Sequence, residues 1–175
     1  MKTYIILLRG VMPFGKNKVP MAELRKVLQK AGLKEVQTYI QTGNIIAQAN
    51  LTAPEIEKLV HEVIKKEIGA DIVVVVKTAL QFSTIVDKNP FITKETEKLY
   101  FTLFSRTPEK NLLKQFYAGD YSPEKVSVIG DVVYTLYATK YRDSKFKNNF
   151  IERKLSVSVT TRNFNTMRQQ GISVT

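Results

Sequence analysis

Two stretches of the sequence carry side chains suited to holding an anion, and the first lies near the amino terminus. Residues 9–18 contain Arg9, Lys16 and Lys18 without an acidic residue, and Asn17 separates the two lysines. The stretch joins a predicted strand to the start of a predicted helix, where free N–H groups and the helix dipole stabilise negative charge. We therefore expect this loop to bind an anion. The alternative is a crossover loop that is merely basic.

The second stretch is residues 139–175, in which eight basic and two acidic residues give a net charge of +6. Arg162 and Thr166 are four positions apart, so in a helix they would share one face, with Asn163 close by. An arginine fork beside neutral donors suits an anion. In the competing interpretation, Thr161 and Asn163 cap a helix and Arg162 bonds a neighbouring carbonyl.

The charge of the chain is concentrated in these two stretches. The 175 residues include 27 Lys and Arg against 16 Asp and Glu, a formal charge of +11, of which the two stretches hold +9. Clustered cations attract polyanions, provided that the two stretches meet in the folded chain. Basic residues that only maintain solubility are the alternative.

The other residue types and motifs of the sequence exclude several kinds of active site. The chain has no cysteine, and its one histidine, His61, is expected on the polar surface of a helix, so thiolate and histidine-based sites are not supported. Between residues 139 and 175 the acids are Asp143 and Glu152, and an ion pair of Glu152 with a nearby cation is favoured over a divalent-metal site. The two common phosphate-binding loops, GxxxxGK[ST] and GxGxxG, are absent. We expect no cofactor and no metal.

The elements that would position the first stretch follow the order βαββαβ, which is the ferredoxin-like order and predicts an α+β domain over residues 1–90. Apolar residues recur at helical spacing in the helices, and apolar, β-branched runs mark the strands. Thr42-Gly43-Asn44 predicts a hairpin turn, and Thr52 with Glu55 predicts a capping box. The predicted elements are a strand at 4–8, a helix at 20–31, strands at 36–41 and 45–49, a helix opened by Thr52, and a strand at 71–77.

The second half repeats part of this pattern and predicts a second α+β domain over residues 91–175, with basic C-terminal helices. A polar junction at 91–97 separates the halves. The βαββ order recurs about half a chain length later, which indicates a structural duplication, and the similarity is expected to end after Ala138. The predicted elements are a strand at 99–104, a helix at 108–117, strands at 125–129 and 132–138, a helix at 144–155 and a last helix capped by Thr160 or Thr161.

Three strings in the sequence carry a resemblance to a known family, and they are Leu7–Gly10 with Gly15–Leu24, Tyr39–Ile46, and Glu152–Leu155 with Thr160–Thr166. Together they resemble the bacterial domain-of-unknown-function 1697 family. The resemblance implies a compact α+β protein with ferredoxin-like organisation, and it implies no particular reaction. The chain departs from the family's usual pattern at Met12-Pro13-Phe14, where a smaller and more polar stretch is usual, and at Phe164, where tryptophan is usual.

Polar residues of these strings without an evident core role are the candidate anion-binding residues. No catalytic residue is assigned, and a structural origin for the strings remains open because Gly, Asn, Thr and Pro are favoured in turns and caps. The candidates are Arg9, Lys16, Asn17, Lys18, Asn44, Arg162, Asn163 and Asn165.

The leading hypothesis is a protein that binds an anionic, phosphate-bearing ligand, with nucleic acid as the most natural one. Exposed tyrosines would serve as stacking platforms, and the candidates are Tyr39, Tyr134, Tyr137 and Tyr141. The alternatives are an enzyme for a small phosphorylated or carboxylated substrate, with Lys16 or Lys18 as electrostatic catalyst and Asn44 or Asn163 as donor, and a purely structural or interaction protein. No apolar run approaches the roughly 18 residues of a membrane span and no secretory signal is recognisable, so we expect a cytoplasmic protein without a membrane partner.

Overall fold

The computed structural model describes residues 1–39 and 43–174. It divides into two compact units, the first formed by Met1–Ser83 and the end of the chain from Gln170, and the second by Thr84–Gln169. Each unit contains a four-stranded antiparallel sheet with helices. The predicted α+β class is confirmed.

The first unit is built on the order βαββαβ, followed by a helix. Its sheet has the strand order β2-β3-β1-β4, so the first strand lies in the middle between the third and the fourth. The elements are β1 (Lys2–Leu8), α1 (Met21–Lys30), β2 (Lys34–Tyr39), β3 (Asn44–Ala49), α2 (Ala53–Val63), β4 (Val74–Thr78) and α3 (Ala79–Asp87). The residues of α3 from Thr84 onward belong to the second unit.

Helices α1 and α2 cover the sheet with the apolar faces that their sequence periodicity predicts. Leu24 and Leu28 of α1 and Ile56 and Val60 of α2 are fully buried in one core cluster with the sheet. The capping box is confirmed, since the Thr52 side chain accepts from the Glu55 backbone and Glu55 accepts from the Thr52 N–H at 2.7 Å.

The second unit repeats the complete element order of the first, and its sheet has the equivalent strand order β6-β7-β5-β8. The similarity therefore does not end after Ala138 as the sequence suggested, because a helix, a strand and a further helix follow as they do in the first unit. The elements are β5 (Leu99–Phe104), α4 (Lys110–Tyr117), β6 (Lys125–Ile129), β7 (Val132–Leu136), α5 (Asn148–Leu155), β8 (Val159–Asn163) and α6 (Phe164–Val174). The residues of α6 from Gln170 onward belong to the first unit.

The prediction that Thr160 or Thr161 caps the last helix is wrong. Both residues lie in β8, which pairs antiparallel with β5 so that Thr161 is opposite Thr102. The β-branched run at 159–161 fits a pleated strand, and the Thr161 and Thr102 hydroxyls are 2.8 Å apart. The helix begins only at Phe164.

The helix predicted from residue 144 begins later, at Asn148. A short 3₁₀ turn, Tyr141–Asp143, precedes it, and Ser144 donates its hydroxyl hydrogen to Glu124 at 2.8 Å. That bond ties the segment to a distant loop, so it does not join the helix. None of the helices in the described residues is long and apolar enough to cross a membrane.

Candidate functional site

The loop from β1 to α1, residues 9–18, is called the basic loop below, and it is held by its own backbone. The Arg9 N–H donates to the Val73 carbonyl at 3.0 Å, which fixes the start of the loop. Further along, the Met12 N–H donates to the Asn17 carbonyl at 3.0 Å and the Lys18 N–H to the Gly15 carbonyl at 3.2 Å. The tip of the loop is therefore closed on itself.

The lysines of the basic loop point their charge toward solvent. Lys16 and Lys18 are exposed, whereas Arg9 and Asn17 are half-buried. Helix α1 starts directly after the loop, and Pro20 at its N-cap makes no side-chain hydrogen bond to the first turn. The N–H groups of that turn lack intrahelical partners, so the helix end adds positive potential to that of the lysines.

The turn before β3 has a different character, because Gly43 and Asn44 are buried. The Gly43 carbonyl accepts from the Leu8 N–H at 2.9 Å, and Asn44 pairs with Leu7 and donates its side-chain amide to the Tyr39 carbonyl at 3.3 Å. These contacts attach the turn to the end of β1. Residues 40–42, including Thr42 of the predicted turn, lie outside the described residues.

The other three candidates, Arg162, Asn163 and Asn165, belong to the second unit. The predicted helical face shared by Arg162 and Thr166 does not exist, since Arg162 is in β8 and Thr166 is in α6. The Arg162 guanidinium donates to the Thr160 hydroxyl at 2.7 Å and the Thr161 carbonyl at 3.0 Å. Desolvation lowers the pKa of Arg162 to about 10, and the nearby Tyr141 opposes this shift.

Asn163, the last residue of β8, uses both ends of its side-chain amide in hydrogen bonds. Its Nδ2 donates to the Glu97 carbonyl at 3.1 Å, and its Oδ1 accepts from the Asn165 N–H at 2.9 Å. The second bond satisfies a backbone donor at the start of α6. The capping alternative raised by the sequence thus describes Asn163, while Asn165 itself is exposed.

A second group of cations lies on α5 and in the segment that precedes it, and residues 140–154 are called the second basic segment below. Five of its six cations are exposed and Lys147 is half-buried, against the acids Asp143 and Glu152. The Glu152 carboxylate accepts a hydrogen bond from the Val159 N–H at 3.0 Å, so part of its hydrogen-bonding capacity is used within the protein. The exposed cations are Lys140, Arg142, Lys145, Arg153 and Lys154.

The predicted tyrosine platforms divide into buried and accessible rings. Tyr134 and Tyr137 are 1% and 2% exposed, and their hydroxyls donate to the Ile85 and Phe146 carbonyls, so neither ring can stack on a ligand. Tyr141 is half-buried, and Tyr100 stacks on it with ring centres 4.5 Å apart. Tyr39 is also half-buried.

Sequence reasoning missed Phe14 as a functional candidate. Its side chain is 81% exposed and that of Met12 is 54% exposed, within a loop whose neighbouring cations are Lys16 and Lys18. The sequence contained a clue to this exposure. Val11 to Phe14 is an apolar run in the connection between a strand and a helix, and it has no helical or strand periodicity that would place it in the core.

Two pockets lie within single units, and neither is lined by a candidate residue. The first, about 370 Å³, is in the second unit and has three acids, Asp120, Glu124 and Asp143, against Lys145. The second, about 340 Å³, lies in the first unit beside Tyr4. Within the described residues, no group of three or more acidic or histidine side chains could hold a metal ion.

A family model and a solved structure match the chain, and the descriptions of both state no function. A solved structure of a conserved bacterial protein from Streptococcus pneumoniae matches with a TM-score of 0.81 and 19% identity, covering 99% of this chain and 98% of that one. At that identity the likeness shows the fold alone. No curated protein matches. The model of a family described as proteins of unknown function, DUF1697, matches residues 1–134, and the chain therefore belongs to that family.

Proposed function

We propose that this protein binds a phosphate-bearing polyanion, with nucleic acid as the leading ligand class, through the basic loop of the first unit. The observation that carries the proposal is the exposure of Lys16 and Lys18 on a hydrogen-bonded loop at the start of α1. The second basic segment offers further cations in the second unit.

The electrostatics of the basic loop support this proposal. Lys16 and Lys18 are exposed, the loop contains no acid, and the first acid that follows it in the sequence is Glu23 on α1. Exposed cations attract mobile anions, and a phosphate that replaces those ions releases them. Binding should therefore depend steeply on salt.

The enzyme alternative lacks comparable support. A small anionic substrate needs an enclosing pocket with cations in its wall. The wall of the 370 Å³ pocket has more acidic than basic side chains. Among the described residues, the wall of the pocket beside Tyr4 has a single basic side chain, Lys2. The open basic loop suits the backbone of a polymer better than it suits a small substrate.

The test is fluorescence anisotropy with a labelled single-stranded oligonucleotide at several salt concentrations. We expect binding at low salt and release by about 0.3 M salt. The double variant Lys16→Glu, Lys18→Glu should bind more weakly, and its slope of log affinity against log salt should be smaller by about 1.4, or roughly 0.7 for each lost phosphate contact.

The matched control is Lys30→Glu, Lys34→Glu. Both lysines are exposed in the same unit. Lys30 is the last residue of α1 and Lys34 the first of β2, so both lie in the sequence at the opposite end of α1 from the basic loop. The change in net charge is the same, so only the position differs. The proposal fails if the wild-type protein shows no binding at low salt, or if the two double variants lose affinity and salt slope equally.

A further inference from the structure

We infer that Phe14 stacks on an unpaired base, so that the ligand of the basic loop is a single-stranded nucleic acid. The inference rests on the proposed function, because it assumes that Lys16 and Lys18 hold phosphates, and it adds which nucleic acid is bound and how. The observation behind it is one exposed aromatic ring between those lysines and Arg9.

The position of Phe14 is set by the loop backbone. The hydrogen bond from the Met12 N–H to the Asn17 carbonyl closes the tip on which Phe14 lies, and the bond from the Lys18 N–H to the Gly15 carbonyl fixes the residues directly after it. Gly15 follows it with a φ of +83°, a conformation that glycine adopts without strain. A ring held on a closed loop loses less conformational freedom on stacking than one on a flexible tail.

Phe14 differs from the other exposed apolar side chains of the described residues. Leu80 and Ile92 are more than three-quarters exposed but have no ring face. Tyr117 is aromatic, but its hydroxyl donates to the Val128 carbonyl at 2.9 Å, which ties its ring to the protein. Phe14 therefore combines a free ring face with adjacent cations.

Charge and ring together favour a single strand over a duplex or a lipid surface. A base has a π-face that an aromatic side chain can cover only when the base is unstacked from its neighbours, as in a single strand. Insertion into a membrane needs a larger apolar surface than Phe14 and the half-exposed Met12 provide, since peripheral anchors bury the whole apolar face of a helix.

The chain provides a spectroscopic test because it contains no tryptophan. Phe14→Trp keeps an aromatic ring and introduces one tryptophan, whose emission can be excited selectively. Leu80→Trp places a tryptophan at an exposed position of α3 in the same unit. The probe is a single-stranded oligothymidylate. We expect it to quench the tryptophan emission of the Phe14→Trp protein and to leave that of the Leu80→Trp protein nearly unchanged.

Affinity measurements separate stacking from phosphate binding. Phe14→Ala should weaken binding of the oligothymidylate by roughly 5- to 150-fold, the range for loss of one base–aromatic contact, while Phe14→Trp should restore it. An abasic oligonucleotide of the same length retains the phosphates without the bases. Its affinity should be equal for the wild-type protein and Phe14→Ala.

The outcomes distinguish failure of the proposed function from failure of the stacking inference. Absence of oligonucleotide binding to the wild-type protein overturns the proposed function. Binding that Phe14→Ala leaves unchanged, or that is as tight for a duplex as for a single strand, overturns the stacking inference alone. Phe14-dependent binding to vesicles of anionic phospholipid, without binding to the oligonucleotide, overturns both in favour of a membrane surface.

Discussion

Gly43 offers a direct test of whether the turn before β3 is dictated by the fold. A Cβ added to Gly43 would lie 2.7 Å from the Leu8 Cβ and 3.1 Å from a methyl carbon of Val11. The Leu8 Cβ is attached to the backbone of a central strand and cannot rotate away. The φ of Gly43 is +80°, so an alanine there is strained even without the contact.

These two effects set the expected loss of stability for Gly43→Ala. A left-handed conformation costs an L-residue roughly 1–2 kcal/mol, and overpacking in a close-packed site costs a further 1–3 kcal/mol. We therefore expect the free energy of unfolding to fall by about 2–5 kcal/mol. For a chain of this size, that is a decrease in Tm of roughly 5–15 °C.

Gly69→Ala is the matched control for this substitution. Gly69 follows the π-helical turn Ile64–Ile68 in the same unit, with a φ of +88° and no atom within 4 Å of an added Cβ. It has the conformational penalty without the clash, so its loss should be about 1–2 kcal/mol. Urea unfolding followed by circular dichroism gives both values. Equal losses for the two variants would refute the argument from the Leu8 contact.

Two further predictions concern the stability of single contacts. Thr52→Ala removes the capping box of α2 and should cost about 1 kcal/mol in urea unfolding, whereas Thr52→Ser should keep most of it. Burial raises the pKa of Tyr134 to about 12, above the value near 10 of an unfolded tyrosine. The unfolded state therefore ionises first, and this contribution is complete below pH 10 and lost between pH 10 and 12. From pH 9 to 11 the wild-type protein should lose about 1 kcal/mol more than Tyr134→Phe, and equal losses would contradict the assignment.

Locally encoded features of the fold could be predicted from the sequence. The apolar positions of α1 and α2 recur within one or two helical turns, and the Thr52–Glu55 capping box spans four residues. Gly130 and Asp131 link β6 to β7 as the sequence predicted, because the turn depends on those residues and their neighbours. Each of these features is decided by contacts that are short in sequence.

Features decided by distant pairing could not be predicted. Thr160 and Thr161 suit both a helix cap and a strand, and the outcome is set by β5, about 60 residues earlier in the chain. The prediction that Tyr134 is a stacking platform is wrong for a related reason. In β7 the residues Val132 to Thr135 are all buried, so both faces of the strand are covered and alternation does not identify an exposed one.

The candidate residues fall into two groups, those that make hydrogen bonds within the fold and those whose side chains are exposed to solvent. Gly43 and Asn44 bond to β1 and β2, and Asn163 bonds the start of α6, so backbone geometry accounts for these residues wherever the fold occurs. Lys16 and Lys18 have no such role and remain available for an anion. Phe14 belongs to Met12-Pro13-Phe14, where the resemblance to the family implies a smaller and more polar stretch. Phosphate binding would then be a property common to relatives that keep the lysines, while the preference for a single strand would belong to chains with an aromatic residue at the loop tip.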